Sequence, residues 1–498
     1  MKKVKCDMTK EQKLLRAQEN RDLTTGSITR KIILFSLPII AGNLFQQFYN
    51  IVDSWVVGNY AASGTACLAA VNASFPIMMF FSSLFMGVSM GANIILSQYK
   101  GAKDHENLEK AMTTTFVLSM AVGIFITIAG LIFCRPILEA LGTPDEILDM
   151  ATTYLRIVFI GTCGNIVYNG LNGMIRGLGD AKFPMYALIV SAVLNILLDL
   201  LFVIVFHWDV AGVAWATIIA HVVSGLLLVW KQADGSYGAK INFRHLRADK
   251  HISGLIIRLG VPAAIQNAAF AGGTLVTQVF ANRFGVNYIA ANAIIMKADG
   301  FAVMPMMGLQ AAITTYVGQN IGAGDVDRTN RGIRSTCIIS VACAAIIGVL
   351  LFFFGKYLMM AFNVTDEALQ MGIAGLRFLS FFYAFMALQN VLGGALRGAG
   401  ASLASAVTSV AGTVIRIPMG YLLAIRPLNK ACQAAVDAGQ YATRALAEAA
   451  GVGMEHYIGL FQTFAYGMVV GLVLILPYYL WGDWRSKGVT EKAKAIRR

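Results

Sequence analysis

Four polar side chains on the first long apolar stretch, Asn43, Gln46, Asn50 and Asp53, follow one another at steps of three, four and three residues. That spacing puts all four on one face of an α-helix. A second set, Ser191, Asn195 and Asp199, repeats at steps of four within another apolar stretch. Each set ends in a carboxylate. A charge at membrane depth costs about 2.5–3.5 kcal/mol on insertion scales, so neither face can point at lipid. Carboxylate, amide and hydroxyl oxygens are hard ligands suited to sodium, and a carboxylate in a low-dielectric space can carry a proton instead. Asp53 and Asp199 are therefore candidate coupling groups for a proton or sodium ion, and Asn43, Gln46 and Asn50 are candidates to line the space they face.

The elements that must hold these residues are membrane spans. Hydrophobic residues make up 57% of the 498-residue chain and charged residues 13%, which excludes a soluble fold. Crossing a hydrocarbon core of about 30 Å takes roughly 20 apolar residues. Such windows recur near 32–57, 66–97, 112–133, 151–175, 183–206 and 210–230, then near 254–282, 288–318, 335–358, 368–396, 402–424 and 457–481. The two sets are copies. Gln98-Tyr-Lys-Gly-Ala-Lys-Asp104 and Gln319-Asn-Ile-Gly-Ala-Gly-Asp325 lie 221 positions apart, and Met174-Ile-Arg-Gly-Leu-Gly179 and Ala395-Leu-Arg-Gly-Ala-Gly400 share that offset. Six spans per copy bring both copies in from the same side, so the expected fold is an all-α polytopic membrane protein of twelve transmembrane helices in two parallel six-helix repeats, with a substrate site between the halves.

Basic residues set the orientation. Nine Lys and Arg fall within residues 1–31, and later clusters (Lys100, Lys103, Lys110; Arg176, Lys182; Lys231 to Lys250; Arg328, Arg331, Arg334; Arg485 to Arg498) recur on every second loop. Both termini are expected on the cytoplasmic side of the cytoplasmic membrane. The first span is expected to serve as the insertion signal, because no small-residue cleavage site precedes it. The net charge of +13 is claimed by this topology, so no nucleic-acid partner is expected. Seven scattered cysteines show neither metal spacing nor a disulfide framework. The expected organisation is a cytoplasmic tail at 1–30, a first bundle at 31–230, a flexible linker at 231–253, a second bundle at 254–482 and a tail at 483–498. An alanine-rich insert at 425–455 is expected to form a short extracytoplasmic helix.

The copies share a fold but not a chemistry. At the repeat offset Asp199 matches Gly420 and Asn195 matches Arg416, while aligning Pro38 with Pro262 sets Asp53 opposite Thr277. Coupling is thus expected in the first half. Asn267, Thr277 and Gln278 give the seventh span only a mildly polar, cavity-lining face, and Lys297, Asp299 and Arg416 are expected to form an internal charge pair.

Leu37-Pro38, Tyr49-Asn-Ile-Val-Asp53, the two Gln-x-x-Gly motifs and Arg176-Gly-Leu-Gly-Asp180 together make the chain resemble the multidrug and toxic compound extrusion (MATE) family over about 30–482. Asn195-Ile-Leu-Leu-Asp199 looks like the fifth-span motif of its prokaryotic branch similar to DNA-damage-inducible protein F. That resemblance implies a coupling site of Asp53, Asn195 and Asp199, where sodium would bind if sodium is the ion, with Thr217 and Tyr154 as neighbours. It also implies a monomeric antiporter without other cofactors, exporting small molecules from or beside membrane lipid. Met78, Met79, Met86, Met90, Met304, Met306 and Met307 would give an adaptable apolar wall suited to lipophilic organic cations. The alternative within the same larger group is a flippase for a lipid-linked precursor. An enzyme is not expected: there are only six His and no nucleophile or His-x-x-x-His motif within a span.

Overall fold

The computed structural model describes residues 19–495, apart from residues 20, 61–63, 234 and 363 and the side chains of residues 50, 53–55, 57–60, 64–68, 72, 76, 84, 209 and 210. Lipid offers the backbone no hydrogen bonds, so an apolar stretch must satisfy its own, and each of the long apolar stretches is helical. In chain order the helices are α1 (Ile28–Tyr60), α2 (Gly64–Ala102), α3 (His105–Ala140), α4 (Asp145–Gly177), α5 (Lys182–Val205) and α6 (Asp209–Ala233). The second half repeats them as α7 (Lys250–Asn282), α8 (Gly285–Ala323), α9 (Val326–Met360), α10, α11 (Ser402–Asp437) and α12 (Ile458–Trp481). α10 is a pair, Asp366–Ser380 and Tyr383–Gly398, bent by 49°; counting it as one span, twelve described helices are long and apolar enough to cross a membrane. Among the described residues there is no strand.

The repeated motif is a crossing of backbones. A Cβ on Gly101 would overlap the Gln319 carbonyl, and one on Gly322 would overlap the Gln98 carbonyl, so only glycine lets the ends of α2 and α8 come this close. Gln98 Nε2 donates to the Gly398 carbonyl at 2.9 Å, and its repeat mate Gln319 Nε2 donates to the Gly177 carbonyl at 3.1 Å. Each glutamine thus ties its own half to the fourth span of the other. Their Oε1 atoms accept from the Val489 and Leu23 amides, at 2.7 and 2.9 Å, which draws a segment beyond each bundle into the same clasp. The motif ends in helix caps: Asp104 and Asp325 accept from the Asn107 and Arg328 amides at 3.1 and 2.8 Å, opening α3 and α9. Loops carrying the basic clusters, and both terminal segments, therefore gather at one end of the molecule.

Two expectations change. The connection at 231–253, expected to be a flexible surface linker, is pinned down: Tyr237, Ala239 and Ile241 alternate into a core cluster beside Ile252 and Ile256. The Tyr237 hydroxyl reaches Asp180 at 3.2 Å, Arg21 stacks on its ring at 4.4 Å, and the amides of Asn242 and Asp249 donate to Thr113 and Thr114. The period-two apolar pattern outweighs the glycines there. The insert at 425–455 begins as a continuation of α11, Arg426–Asp437, because Leu428, Cys432 and Ala435 keep a helical face packed beside Tyr288 and Phe461. A separate short helix follows at Arg444–Ala449. Its Glu448 receives both Arg283 nitrogens, Nε and Nη2, at 2.5 Å, a bond that raises the Arg283 pKa above the usual range and ties the α7–α8 turn to the insert.

Candidate functional site

The α-helical pattern of α5 widens to π-helix at Leu200–Val205, immediately after Asp199. The second half does the same at Tyr421–Ile425, immediately after Gly420, the residue that the 221-position offset sets against Asp199. Wide turns of this kind concentrate at functional sites, where they re-aim side chains within a continuous span. Asp199 is fully buried, at 0% exposure. One turn before it, Asn195 Nδ2 lies 3.5 Å from Thr217 Oγ1 of α6, and its buried Oδ1 has no hydrogen-bond donor among the described residues. Ser191, one turn earlier again, donates to the Ala220 carbonyl at 2.9 Å. The polar face of α5 is thus packed along α6, as its spacing of four requires.

Tyr154 comes from α4 and packs with Val52, Val56, Val203 and Val213 around the π segment, where α1, α4, α5 and α6 converge. Asp53 stands on α1 between Val52 and Val56; its side chain, and that of Asn50, lie outside the described residues. Asn43, Gln46, Asn195 and Thr217 are brought together around one cavity of about 260 Å³ inside the first half.

Several lining residues carry no cavity-lining expectation from the sequence, where Arg176 figures only in the topology and as part of a motif. Asn165, Asn169, Asn172 and Arg176 face it from α4 and His221 from α6. The signal was there: the α4 set runs at steps of four, three and four, the helical spacing already used for α1 and α5. His221 Nδ1 lies 2.7 Å from the Thr217 carbonyl, which can only accept, so Nδ1 carries a proton. Of the methionines expected to form a wall, Met86 lines this cavity, while Met78, Met90 and Met306 pack into the cores between helices.

The second-half residues behave differently. Thr277 donates to the Gly273 carbonyl of its own helix at 2.9 Å, and Gln278 donates to Asn282 at 3.0 Å, one turn on. Neither they nor the exposed Asn267 reach the first-half cavity. The charge pairing expected of Lys297 and Asp299 with Arg416 does not close among the described residues: Asp299 accepts the Tyr383 hydroxyl, Lys297 lies over Phe362 at 5.1 Å, and Arg416 lies over Phe464 at 4.5 Å. Arg397 donates to Gln266 at 3.1 Å and Ser405 at 3.2 Å, bracing α10 against α7 and α11. Between the halves an apolar crevice of about 300 Å³ follows the close crossing of α2 and α7 at Gly87 and Gly260.

Comparison with known proteins places the geometry in context. The MatE family model matches residues 38–201 and 262–422, one block in each half. The chain is similar to the probable multidrug resistance protein YpnP of Bacillus subtilis, 31% identical over 77% of this chain and 85% of that one. YoeA of the same organism, also a probable multidrug resistance protein, is 28% identical over 93% of this chain and 96% of its own length. Among solved structures, the outward-facing conformation of a multidrug resistance MATE family transporter of the MOP superfamily superposes with a TM-score of 0.80 at 22% identity, covering 96% of this chain and 99% of that one.

Proposed function

The chain belongs to the MatE family, and from that premise we propose that it exports lipophilic organic cations across the cytoplasmic membrane in exchange for a proton or a sodium ion handled by the first half. The multidrug resistance names of its relatives support the cargo class. One observation supports the coupling site above the rest: a carboxylate at 0% exposure, Asp199, opens a π segment next to a polar cavity, with an amide oxygen of Asn195 left without a donor one turn away. A buried carboxylate can carry a proton or a small cation, and the amide oxygen of Asn195 is a hard ligand for the latter. Asp53 on the facing span, with Thr217 and Tyr154 around the same convergence, completes the proposed set. The two halves then rock against each other, and the clasp at the ends of α2 and α8, at the basic and hence cytoplasmic end with both termini inside, holds that end shut until they part there.

The test is efflux from proteoliposomes holding the purified monomer and a fluorescent organic cation, with pH and sodium gradients imposed separately. Efflux driven by one gradient and abolished in Asp199→Asn supports the reading. Gradient-independent efflux, or a fully active Asp199→Asn at equal reconstitution, overturns it.

A further inference from the structure

The second half buries a cation where the first half buries an amide. Arg416 stands at the repeat position of Asn195, and Phe270 stands opposite Gln46 when Pro38 and Pro262 are aligned. Asn195 and Gln46 both line the first-half cavity, and their counterparts Arg416 and Phe270 likewise lie together, the guanidinium carbon 5.8 Å from the ring centroid. α11 stays continuous there but is locally irregular: its regular pattern pauses at Ile415, resumes over Arg416–Gly420 with Pro418 inside it, and passes into the π segment. Local irregularities of this kind, a proline followed by a wide turn, concentrate at functional sites within spans.

The guanidinium is built in but not neutralised by contact. Its Cζ lies 4.5 Å from the Phe464 ring centroid and 5.8 Å from that of Phe270, so two aromatic faces flank its plane. A Cβ on Gly467 would come within 2.8 Å of Nε, so glycine lets α12 close against it. Nε and Nη1 are both buried and have no hydrogen-bond partner among the described residues. Asp299 lies within electrostatic reach of Arg416, but among the described residues the two form no ion pair, and Asp299 accepts from the Tyr383 hydroxyl. A charge at membrane depth with two unmet N–H donors is expensive, and arginine presents those donors as a fork that fits two oxygens of one anionic group.

We propose that Arg416 is an anion-binding residue: the second half receives a carboxylate or phosphate oxygen pair on an aromatic or acyl body, flanked by Phe464 and Phe270. The proposal rests on the reading that the molecule exports lipophilic organic cations, and it concerns those cations that also carry an anionic group, zwitterions such as a carboxylated cationic dye. It adds that cargo with an anionic group is preferred, and it divides the labour, with the coupling ion in the first half and the cargo anion in the second.

The test uses two dyes that share a cationic ring system, rhodamine 110 with a free carboxylate and rhodamine 123, its methyl ester. Binding to the purified full-length protein is read by fluorescence polarisation. Wild type should bind rhodamine 110 about tenfold or more tightly than rhodamine 123, the range of a charge-assisted hydrogen bond. Arg416→Gln should bring rhodamine 110 down to the affinity of rhodamine 123, and its unchanged rhodamine 123 binding would show that it is folded. Arg416→Lys, which keeps the charge and loses the fork, should fall between. A second arm separates cargo from lipid: native mass spectrometry after exposure to phosphatidylglycerol or phosphatidylcholine. Retention of phosphatidylglycerol by wild type and not by Arg416→Gln, without discrimination between the dyes, would assign the anion to a lipid phosphate. Equal dye affinities together with equal phosphatidylglycerol retention would overturn the anion site. If wild type bound neither dye, the export reading would fail, and the lipid arm alone would decide the anion site.

Discussion

A buried acid and a buried base occupy related positions in the two halves, and their substitutions separate coupling from packing. Asp199→Asn keeps the shape of the side chain, exchanges one acceptor oxygen for a donor and removes the charge, so it should insert and fold normally while gradient-driven efflux falls at least about tenfold, as follows when an ion-binding carboxylate is lost. Asp53→Asn should do the same, with efflux from proteoliposomes measured per mole of inserted protein. Thr277→Asn is the control in the other half: the Thr277 hydroxyl is already spent on the Gly273 carbonyl, so the pH and sodium dependence of transport should be unchanged. A shift as large as that of Asp53→Asn would mean that coupling is shared between halves.

At the scale of elements, the prediction concerns the crossing of α2 and α8. Gly101→Ala or Gly322→Ala would drive a methyl into the facing glutamine carbonyl, and the backbone cannot yield as a flexible side chain would. Each should cost about 1–3 kcal/mol, seen as a lower melting temperature in detergent. Gly254→Ala, with nothing within 4 Å of the added carbon, should instead be neutral or stabilising by up to about 1 kcal/mol. The same elements show what the sequence could tell. Span positions followed from apolar length alone, because lipid leaves the backbone one solution, and the 221-position repeat was legible because Gln98, Gly101 and Asp104 each have a structural job that their mates share. The π segments were not legible: Leu200–Val205 has no residue that marks a wide turn, and its register depends on the helices packed around Val203. The pinned connection was misread because its glycines are conspicuous and its Tyr237, Ala239 and Ile241 alternation is short. Nor could the sequence show that Tyr383 would occupy Asp299 and leave Arg416 without it, since that contact spans 84 positions.

At the scale of the whole molecule, the two halves are sewn together at one end by a pair of equivalent glutamines, and each also holds a segment from beyond a bundle. Asn93 and Thr315 add a direct hydrogen bond across the halves at 3.2 Å. Because the two glutamines make matching bonds, Gln98→Ala and Gln319→Ala should lower the melting temperature by similar amounts. Each loses two buried hydrogen bonds, about 1–3 kcal/mol. A large difference between the two variants would show that the clasp is asymmetric in energy even though it is symmetric in form. The clasp also means that the Leu23 and Val489 amides, near opposite ends of the chain, are each tied to a side chain that must let go whenever the halves part at this end. Those two N–H groups are therefore a built-in clock: in deuterated water both should trade hydrogen slowly while this end is shut. They should speed up together under cargo or ion conditions that open it, so that one isotope-labelling experiment would time the working cycle from both ends of the chain at once.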